Sequence, residues 1–205
     1  MGLFPMFVKL NGRMVVVVGG GVIAEQKIPG LLSAGARVRL VSPAITAQIA
    51  EWVRFGKIDW QPKKFASEDL RDAFLVIAAT GESFVNGDVY RAAEERGIVC
   101  NAVDDVEHCH FYYGSVVQRG DLQIAISTNG KSPALAQRLR QEFEKQFGPE
   151  YEAWVQWLGA AREALRANGP TGEMTKKLLH ELASRPMYEQ FLRQTLEQPK
   201  KKGVV

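Results

Sequence analysis

The chain has 205 residues, 46% of them hydrophobic, enough to bury a sizeable core in one domain or in a domain with an appendage. Its 26 basic and 23 acidic residues leave a formal charge of +3, too small to call for nucleic acid or an anionic membrane as partner. Two cysteines are too few for a disulfide framework, the N-terminus lacks an export layout, and no apolar run approaches the roughly 20 residues of a spanning helix, so a soluble cytoplasmic protein is expected.

In chain order, the first element is Met14-Val-Val-Val-Val18, an unbroken β-branched run that reads as a buried parallel strand. It runs into Gly19-Gly20-Gly21-Val22-Ile23-Ala24, which fits the G-x-G-x-x-A spacing of a dinucleotide turn. On that reading Gly19 permits the turn, Gly21 lets the backbone approach a pyrophosphate, and Ala24 allows close packing of helix on strand. Glycine-rich turns also serve as plain connections. The position between a strand and the helical segment Glu25 to Ala34 favours the nucleotide site. Ala34-Gly35 then punctuates the chain, and Arg37 to Val41 forms a second strand closed by Ser42-Pro43. A helix near Thr46 to Phe55, a short strand around Ile58 to Gln61 and the apolar run Phe74 to Ala79 follow, the last ended by Thr80-Gly81. Ser83 to Arg96 carries Phe84, Val85, Val89, Ala92 and Ala93 at helical spacing, and Gly97 ends it before the strand Ile98 to Val103. This alternation predicts an α/β, Rossmann-like parallel sheet whose ligand crevice lies at the carboxyl ends of its strands.

Beyond Asp104-Asp105 the pattern changes. Gly114 to Arg119 and Leu122 to Ser127 read as a hairpin turning at Gly120-Asp121. Ser132-Pro133 supplies a cap and first-turn proline for a helix running to Phe147, with Leu135, Leu139 and Phe143 on one face. Gly148-Pro149 stops it, and from Tyr151 the chain reads as helical, with Trp154, Trp157, Leu158, Ala161 and Leu165 on a stripe. A break at Asn168-Gly169-Pro170 precedes Leu178, Leu182, Phe191 and Leu192, and Lys200-Lys201-Lys202 reads as a solvated tail. The expected organisation is a nucleotide-binding domain over 1–113, a small α+β segment over 114–148 and a helical domain over 149–205.

Asp104 and Asp105 stand just past a predicted parallel strand, where a general base would sit, although adjacent loop acids are more often caps or surface residues. His108-Cys109-His110 are all ligand types, but their spacing is not that of a structural metal site, and no metal is expected. The loop Ser127-Thr128-Asn129-Gly130-Lys131-Ser132 suits gripping an anion through amides and Lys131, or simply capping a helix, and it lacks P-loop spacing. Arg119, Arg138 and Arg140 add positive charge nearby. No acid closes the second strand to bind a ribose, while Arg37 and Arg39 raise the option of a 2′-phosphate, so spacing leaves NAD and NADP even.

Taken together, Phe4-Pro5-Met6-Phe7, the Gly19 to Ala24 turn with Lys27, Leu31 to Ala36, Val41-Ser42-Pro43, Val76 to Thr80 and Asn86 resemble one known family. So do Asn101-Ala102-Val103-Asp104-Asp105, Cys109-x-Phe111, Val117-x-Arg119-Gly120 and Ile124 to Ala136. That family is the precorrin-2 dehydrogenases of sirohaem biosynthesis, some of which also insert iron into sirohydrochlorin. The resemblance covers roughly residues 3–147. It implies NAD held by Gly19, Gly21, Val22, Ile23, Ser42, Pro43, Ala44 and Thr80, and Asp104 as the catalytic carboxylate that takes a proton while precorrin-2 becomes sirohydrochlorin. It also implies a homodimer built partly from the segment after Asp105, and a cleft between nucleotide domain and helical tail for the octacarboxylate substrate. Arg119, Lys131 and Arg138, with Ser127, Thr128 and Ser132 of the loop, are the candidate substrate-carboxylate partners. The chain departs from the family at Gly114, where proline is common, at Ala102, where many members have valine, and at Thr128, where some carry a phosphorylated serine. It shows no methyltransferase domain, so precorrin-2 is expected from a separate enzyme. Competing readings are a dehydrogenase of another acidic small molecule and a non-catalytic NAD-sensing module.

Overall fold

A computed structural model describes residues 2–197; the lysines at 200–202 lie outside the described residues. The strand β1 (Met14–Val18) lies at the centre of a five-stranded, all-parallel sheet of order β3-β2-β1-β4-β5. Its composition follows from that place. Val15 to Val18 are at most 2% exposed, because helices cover both faces and leave no side of the strand for polar residues. Alternation splits the run: Val15 and Val17 join a core with Ala24, Ile28 and Ile49, while Val16 and Val18 join one with Leu70, Val89 and Ala93.

From β1 the chain passes through α1 (Val22–Ser33) to β2 (Arg37–Val41), and through α2 (Ala47–Arg54) to β3 (Asp59–Gln61). It then crosses back beyond β1 to β4 (Leu75–Ala78), followed by α3 (Ser83–Glu94) and β5 (Val99–Ala102). The crossover to β4 carries only one short 3-10 turn, Ser67–Leu70, which the sequence pattern did not signal. Buried Asp69 organises it, accepting the Ala66 N–H at 2.9 Å and pairing with Lys63 at 2.5 Å. The reversal of direction at β1 and β4 creates a switch point, and the register Val41↔Val18↔Ala78↔Ala102 aligns the strand ends that border it.

The described residues divide into two compact units, one spanning Phe4–Tyr113 and the other beginning at Gly114. In the second, β6 (Ser115–Arg119) and β7 (Leu122–Ile126) pair antiparallel about a turn in which Gly120 has φ +54°. α4 (Pro133–Gln146) and α5 (Glu150–Asn168) follow. Trp154, 4% exposed, stacks on Trp157 at 5.0 Å and meets Phe191 at 5.1 Å, which gives the aromatic stripe its core role. The last helical stretch is two helices, α6 (Glu173–Leu182) and α7 (Arg185–Glu197). Pro186, in the first turn of α7, supplies the reason: its ring disfavours continued helix in the preceding residues but fits a new N-terminus. No helix of the described residues is long and apolar enough to cross a membrane.

Candidate active site

Three glycines build the turn, each for a different reason. Gly19 has φ +106°, and a Cβ there would lie 2.4 Å from the Ala79 carbonyl oxygen. Gly20, to which the motif assigned no task, is equally confined: its Cβ would lie 2.2 Å from the Ala44 oxygen, and its own carbonyl accepts the Thr46 N–H at 3.0 Å. Gly21 is the opposite case. No described atom lies within 4 Å of a Cβ built on it, and it begins α1 without a side-chain cap. The first amides of α1 are therefore left for a ligand, and the open space lies where a pyrophosphate needs close approach. Ala24 is fully buried at the helix–strand contact.

In front of this turn is a cavity of about 700 Å³. Gly19, Gly21, Ser42, Pro43, Ala44 and Thr80 line it, whereas Val22 and Ile23 do not: Val22 is 63% exposed and Ile23 packs against the sheet core. Ser42 is buried and spends its hydroxyl on the Ala44 carbonyl at 2.7 Å, so it shapes the loop. Thr80 is clamped by buried Asn86, whose Oδ1 accepts the Thr80 hydroxyl at 2.7 Å and amide at 3.2 Å, and whose Nδ2 donates to the Thr80 carbonyl at 3.2 Å. The wall also includes Lys64, Phe65, Glu82, Phe84 and Asp88, which sequence reasoning missed. The helical spacing of Phe84 and Asp88 at the start of α3 was an available signal for one face; nothing local pointed to Lys64. Arg37 and Arg39 are both absent from the wall. Arg37 opens β2 at the far end of the strand, and Arg39 donates to the carbonyls of Asp69 and Arg71 at 3.3 and 3.2 Å.

Past β5, the Val103 amide donates to Ala78 at 2.9 Å and the Asp105 amide to Ala102 at 3.2 Å, leaving Asp104 exposed at the turn with φ +62°. A non-glycine residue in the left-handed region carries a conformational cost, and such residues cluster at functional sites. Asp104 does not line the cavity, but it leaves the sheet one strand from Ala79 and Thr80, which do. The two adjacent acids have different surroundings. Asp105 accepts from His108 Nδ1 at 2.7 Å, and this bond holds its carboxyl below the usual range. Asp104 acts electrostatically on Lys27 of α1, whose pKa burial lowers against the pull of that carboxylate. Lys27 Nζ lies 4.1 Å over the Tyr113 ring.

The loop after Asp104 is pinned from within. Buried Asn101 donates to the Phe111 carbonyl at 2.8 Å, and the Cys109 thiol donates to the carbonyls of Ala102 and Asp105, each at 3.1 Å. His110 Nδ1 accepts the Cys100 amide at 2.9 Å while Nε2 pairs with Glu94, and its ring stacks on Tyr90 at 4.9 Å. His108 and His110 thus have structural tasks, and among the described residues no group of three or more His, Cys, Asp or Glu could hold a metal ion.

In the unit beginning at Gly114, Ser127, Thr128, Lys131 and Ser132 share one loop. Ser127 Oγ accepts the Asn129 amide at 3.1 Å, Thr128 Oγ1 the Ser132 amide at 3.0 Å, and Ser132 Oγ the Leu135 amide at 3.2 Å as the cap of α4. Arg138, exposed on α4, pairs with Glu142 at 3.3 Å. Arg119 stands at the other end of α4, where it donates to the carbonyls of Phe147 and Glu144 at 2.9 and 3.1 Å and to that of Gln118 at 2.8 Å. Those bonds give Arg119 a capping task on a helix C-terminus.

Sheet order, switch-point cavity and uncapped glycine turn define a Rossmann-like protein that binds a nicotinamide dinucleotide. The family described as putative NAD(P)-binding matches residues 6–115, and the one described as sirohaem biosynthesis protein central matches residues 119–146. The chain belongs to this NAD(P)-binding family, in the form joined to the sirohaem-biosynthesis central segment. It is 37% identical over 173 residues to siroheme synthase 1 of Serratia proteamaculans, covering 82% of this chain and 36% of that protein. It is 39% identical over 166 residues to siroheme synthase of Neisseria meningitidis serogroup B, covering 81% and 34%. The chain therefore spans about a third of the length of these relatives. A solved structure named SirC, precorrin-2 dehydrogenase, is similar over 94% of this chain and 98% of its own, with a TM-score of 0.77 and 29% identity.

Proposed function

We propose that this chain oxidises precorrin-2 to sirohydrochlorin with NAD in sirohaem or related tetrapyrrole biosynthesis. The observation that carries the reading is that Asp104 lies two residues past the end of β5, the strand paired with β4, whose own carboxyl end at Ala79 and Thr80 lines the cofactor cavity. Similarity to SirC over nearly its whole length supports the substrate class.

Bound NAD supplies the hydride acceptor, and the chain supplies binding, orientation and a proton acceptor. The Gly19 to Gly21 backbone and the uncapped amides opening α1 would hold the pyrophosphate, and the Ser42 to Ala44 loop would receive the adenosine ribose. NAD is favoured over NADP because Arg39 is committed to backbone carbonyls and Arg37 stands at the far end of β2, so neither is offered to a 2′-phosphate. Oxidation removes a hydride and a proton from precorrin-2, and the Asp104 carboxylate would take the proton. Lys131 and the exposed Arg138, whose partner Glu142 is itself on the surface of α4, are the cations we assign to substrate carboxylates, with the Ser127, Thr128 and Ser132 loop as their base. We also infer a homodimer, supported by the two-stranded β6–β7 sheet, a size that rarely stands alone. Free Cys100 and Cys109 support a reducing cytoplasm.

Anaerobic mixing of purified protein, precorrin-2 and NAD should yield NADH and sirohydrochlorin, followed by absorbance. NAD binding without NADH formation would instead identify a sensing module. Asp104→Ala should abolish oxidation and leave NAD affinity within about twofold, because the carboxylate lies outside the cofactor cavity.

A further inference from the structure

We propose that Glu25, acting through Thr46, takes the place of the acid missing from the end of β2 and sets a preference for NAD over NADP. This rests on the dinucleotide site described under the proposed function, and it adds the residues that read the adenosine ribose.

The loop after β2 offers few groups for that task. Ser42, Pro43, Ala44, Ile45 and Thr46 all line the cavity, and of these only Ser42 and Thr46 carry a polar side chain. Ser42 has spent its proton on the Ala44 carbonyl at 2.7 Å, and its own carbonyl accepts the Trp60 Nε1–H at 2.9 Å. Thr46 remains. Its amide donates to the Gly20 carbonyl at 3.0 Å, which ties it to the glycine turn. Its hydroxyl donates to Glu25 Oε2 at 2.6 Å and accepts the Ile49 amide at 3.2 Å. Each residue has an ordinary reason for its place: Thr46 is the N-cap of α2, and an acid in the first turn of α1 suits the helix dipole. Neither reason calls for a bond between the two helix starts, 21 residues apart in the chain. Glu25 itself does not line the cavity, so a ligand meets its charge through Thr46.

A hydroxyl has one proton and two lone pairs. With the proton held by Glu25 and one lone pair by the Ile49 amide, Thr46 Oγ1 has only an acceptor left to offer. An acceptor suits a ribose 2′-hydroxyl, which brings a proton, and opposes a 2′-phosphate, whose oxygens are acceptors at neutral pH. The half-buried carboxylate behind it adds negative charge under weakened screening. In dinucleotide folds generally an acid near the end of the second strand bonds the ribose directly. Here the acid stands on α1, and the threonine carries its effect to the cavity wall.

The test is calorimetric titration of NAD and of NADP into wild type, Glu25→Gln, Thr46→Ser and Thr46→Val, with a thermal melt of each. Glu25→Gln keeps an oxygen acceptor for the Thr46 proton and removes the charge. NAD affinity should therefore stay within about twofold while NADP affinity rises about 10-fold. Thr46→Ser keeps the hydroxyl and should preserve the wild-type ratio of the two affinities, whereas Thr46→Val should weaken NAD about 10-fold and narrow that ratio. Lys64, a cation on the same wall, is retained in every variant and cancels from the comparison. An unchanged ratio in Glu25→Gln overturns the proposal, as does equal affinity of wild type for both dinucleotides. Equal loss of both cofactors in Glu25→Gln also overturns it, by reducing the bond to a brace between helices. If Thr46→Val does not fold, Glu25→Gln and Thr46→Ser decide the outcome. Wild type that binds neither dinucleotide would overturn the cofactor reading itself. Wild type that prefers NAD but forms no NADH from precorrin-2 would overturn the proposed reaction and leave this assignment standing.

Discussion

At the scale of single residues, Gly20 and Gly21 make opposite demands although they are chemically identical neighbours. Gly20→Ala forces its methyl into the Ala44 carbonyl, so it should lower stability by about 1–3 kcal/mol and weaken NAD binding together, read by thermal melts and calorimetry. Gly21→Ala meets no described atom and should leave the melting curve near wild type while lowering NAD affinity at least about 10-fold, because the methyl occupies pyrophosphate space. Equal stability loss in both variants would contradict this division. Cys100 makes a further prediction. Burial pushes its thiol from 9.0 to about 12, with the neighbouring Cys109 charge adding to the effect. Above pH 9.0 the unfolded chain releases a proton that the folded chain retains, so this stability is present below 9.0 and is lost as pH rises toward about 12. Denaturant melts above pH 9.0 should show wild type losing up to roughly 1.4 kcal/mol per pH unit more than Cys100→Ala. Parallel slopes in the two proteins would refute it.

At the scale of elements, α1 joins a functional end to a structural liability. Its uncapped N-terminus faces the cofactor cavity, yet Pro29 stands inside it and removes the amide that would bond Glu25. The helix persists because Ala24, Ile28 and Leu31 anchor the opposite face, while Pro29 itself is exposed. Pro29→Ala should therefore stabilise the protein by about 1–2 kcal/mol, the restored helix bond outweighing the added entropy of the unfolded chain, with NAD affinity unchanged. A lower melting temperature would show that the proline serves the native backbone. Elements of this kind were the most legible part of the chain. Met14–Val18 and Leu75–Ala78 are strands whose apolar runs follow from burial on both faces, and Ser132 with Pro133 opens α4 where their chemistry places a helix start. The split between α6 and α7 was signalled by Pro186 but masked by the helical spacing of Leu178, Leu182 and Phe191.

At the scale of the whole molecule, the consequential feature is the concentration of chemistry along the carboxyl ends of β1, β2, β4 and β5. Residues from distant parts of the chain meet there because every crossover returns the chain in the same direction. The inferred homodimer gives the test at this scale: sedimentation should report twice the chain mass at micromolar concentration, and a single-chain mass would overturn it.

By itself the sequence determined the parallel sheet, the glycine turn and the candidate aspartate. Those features are written in local terms: β-branched runs, φ-permissive residues and helix punctuation act over a few neighbouring positions. Only the tertiary structure decided that Arg39 is withdrawn to backbone carbonyls, that Lys64 and Asp88 line the cavity, and that Asp105 is bonded to His108 while Lys27 lies over the Tyr113 ring. These outcomes depend on strand order and on which helix packs over which strand end. Such long-range placements leave no periodic trace in the chain.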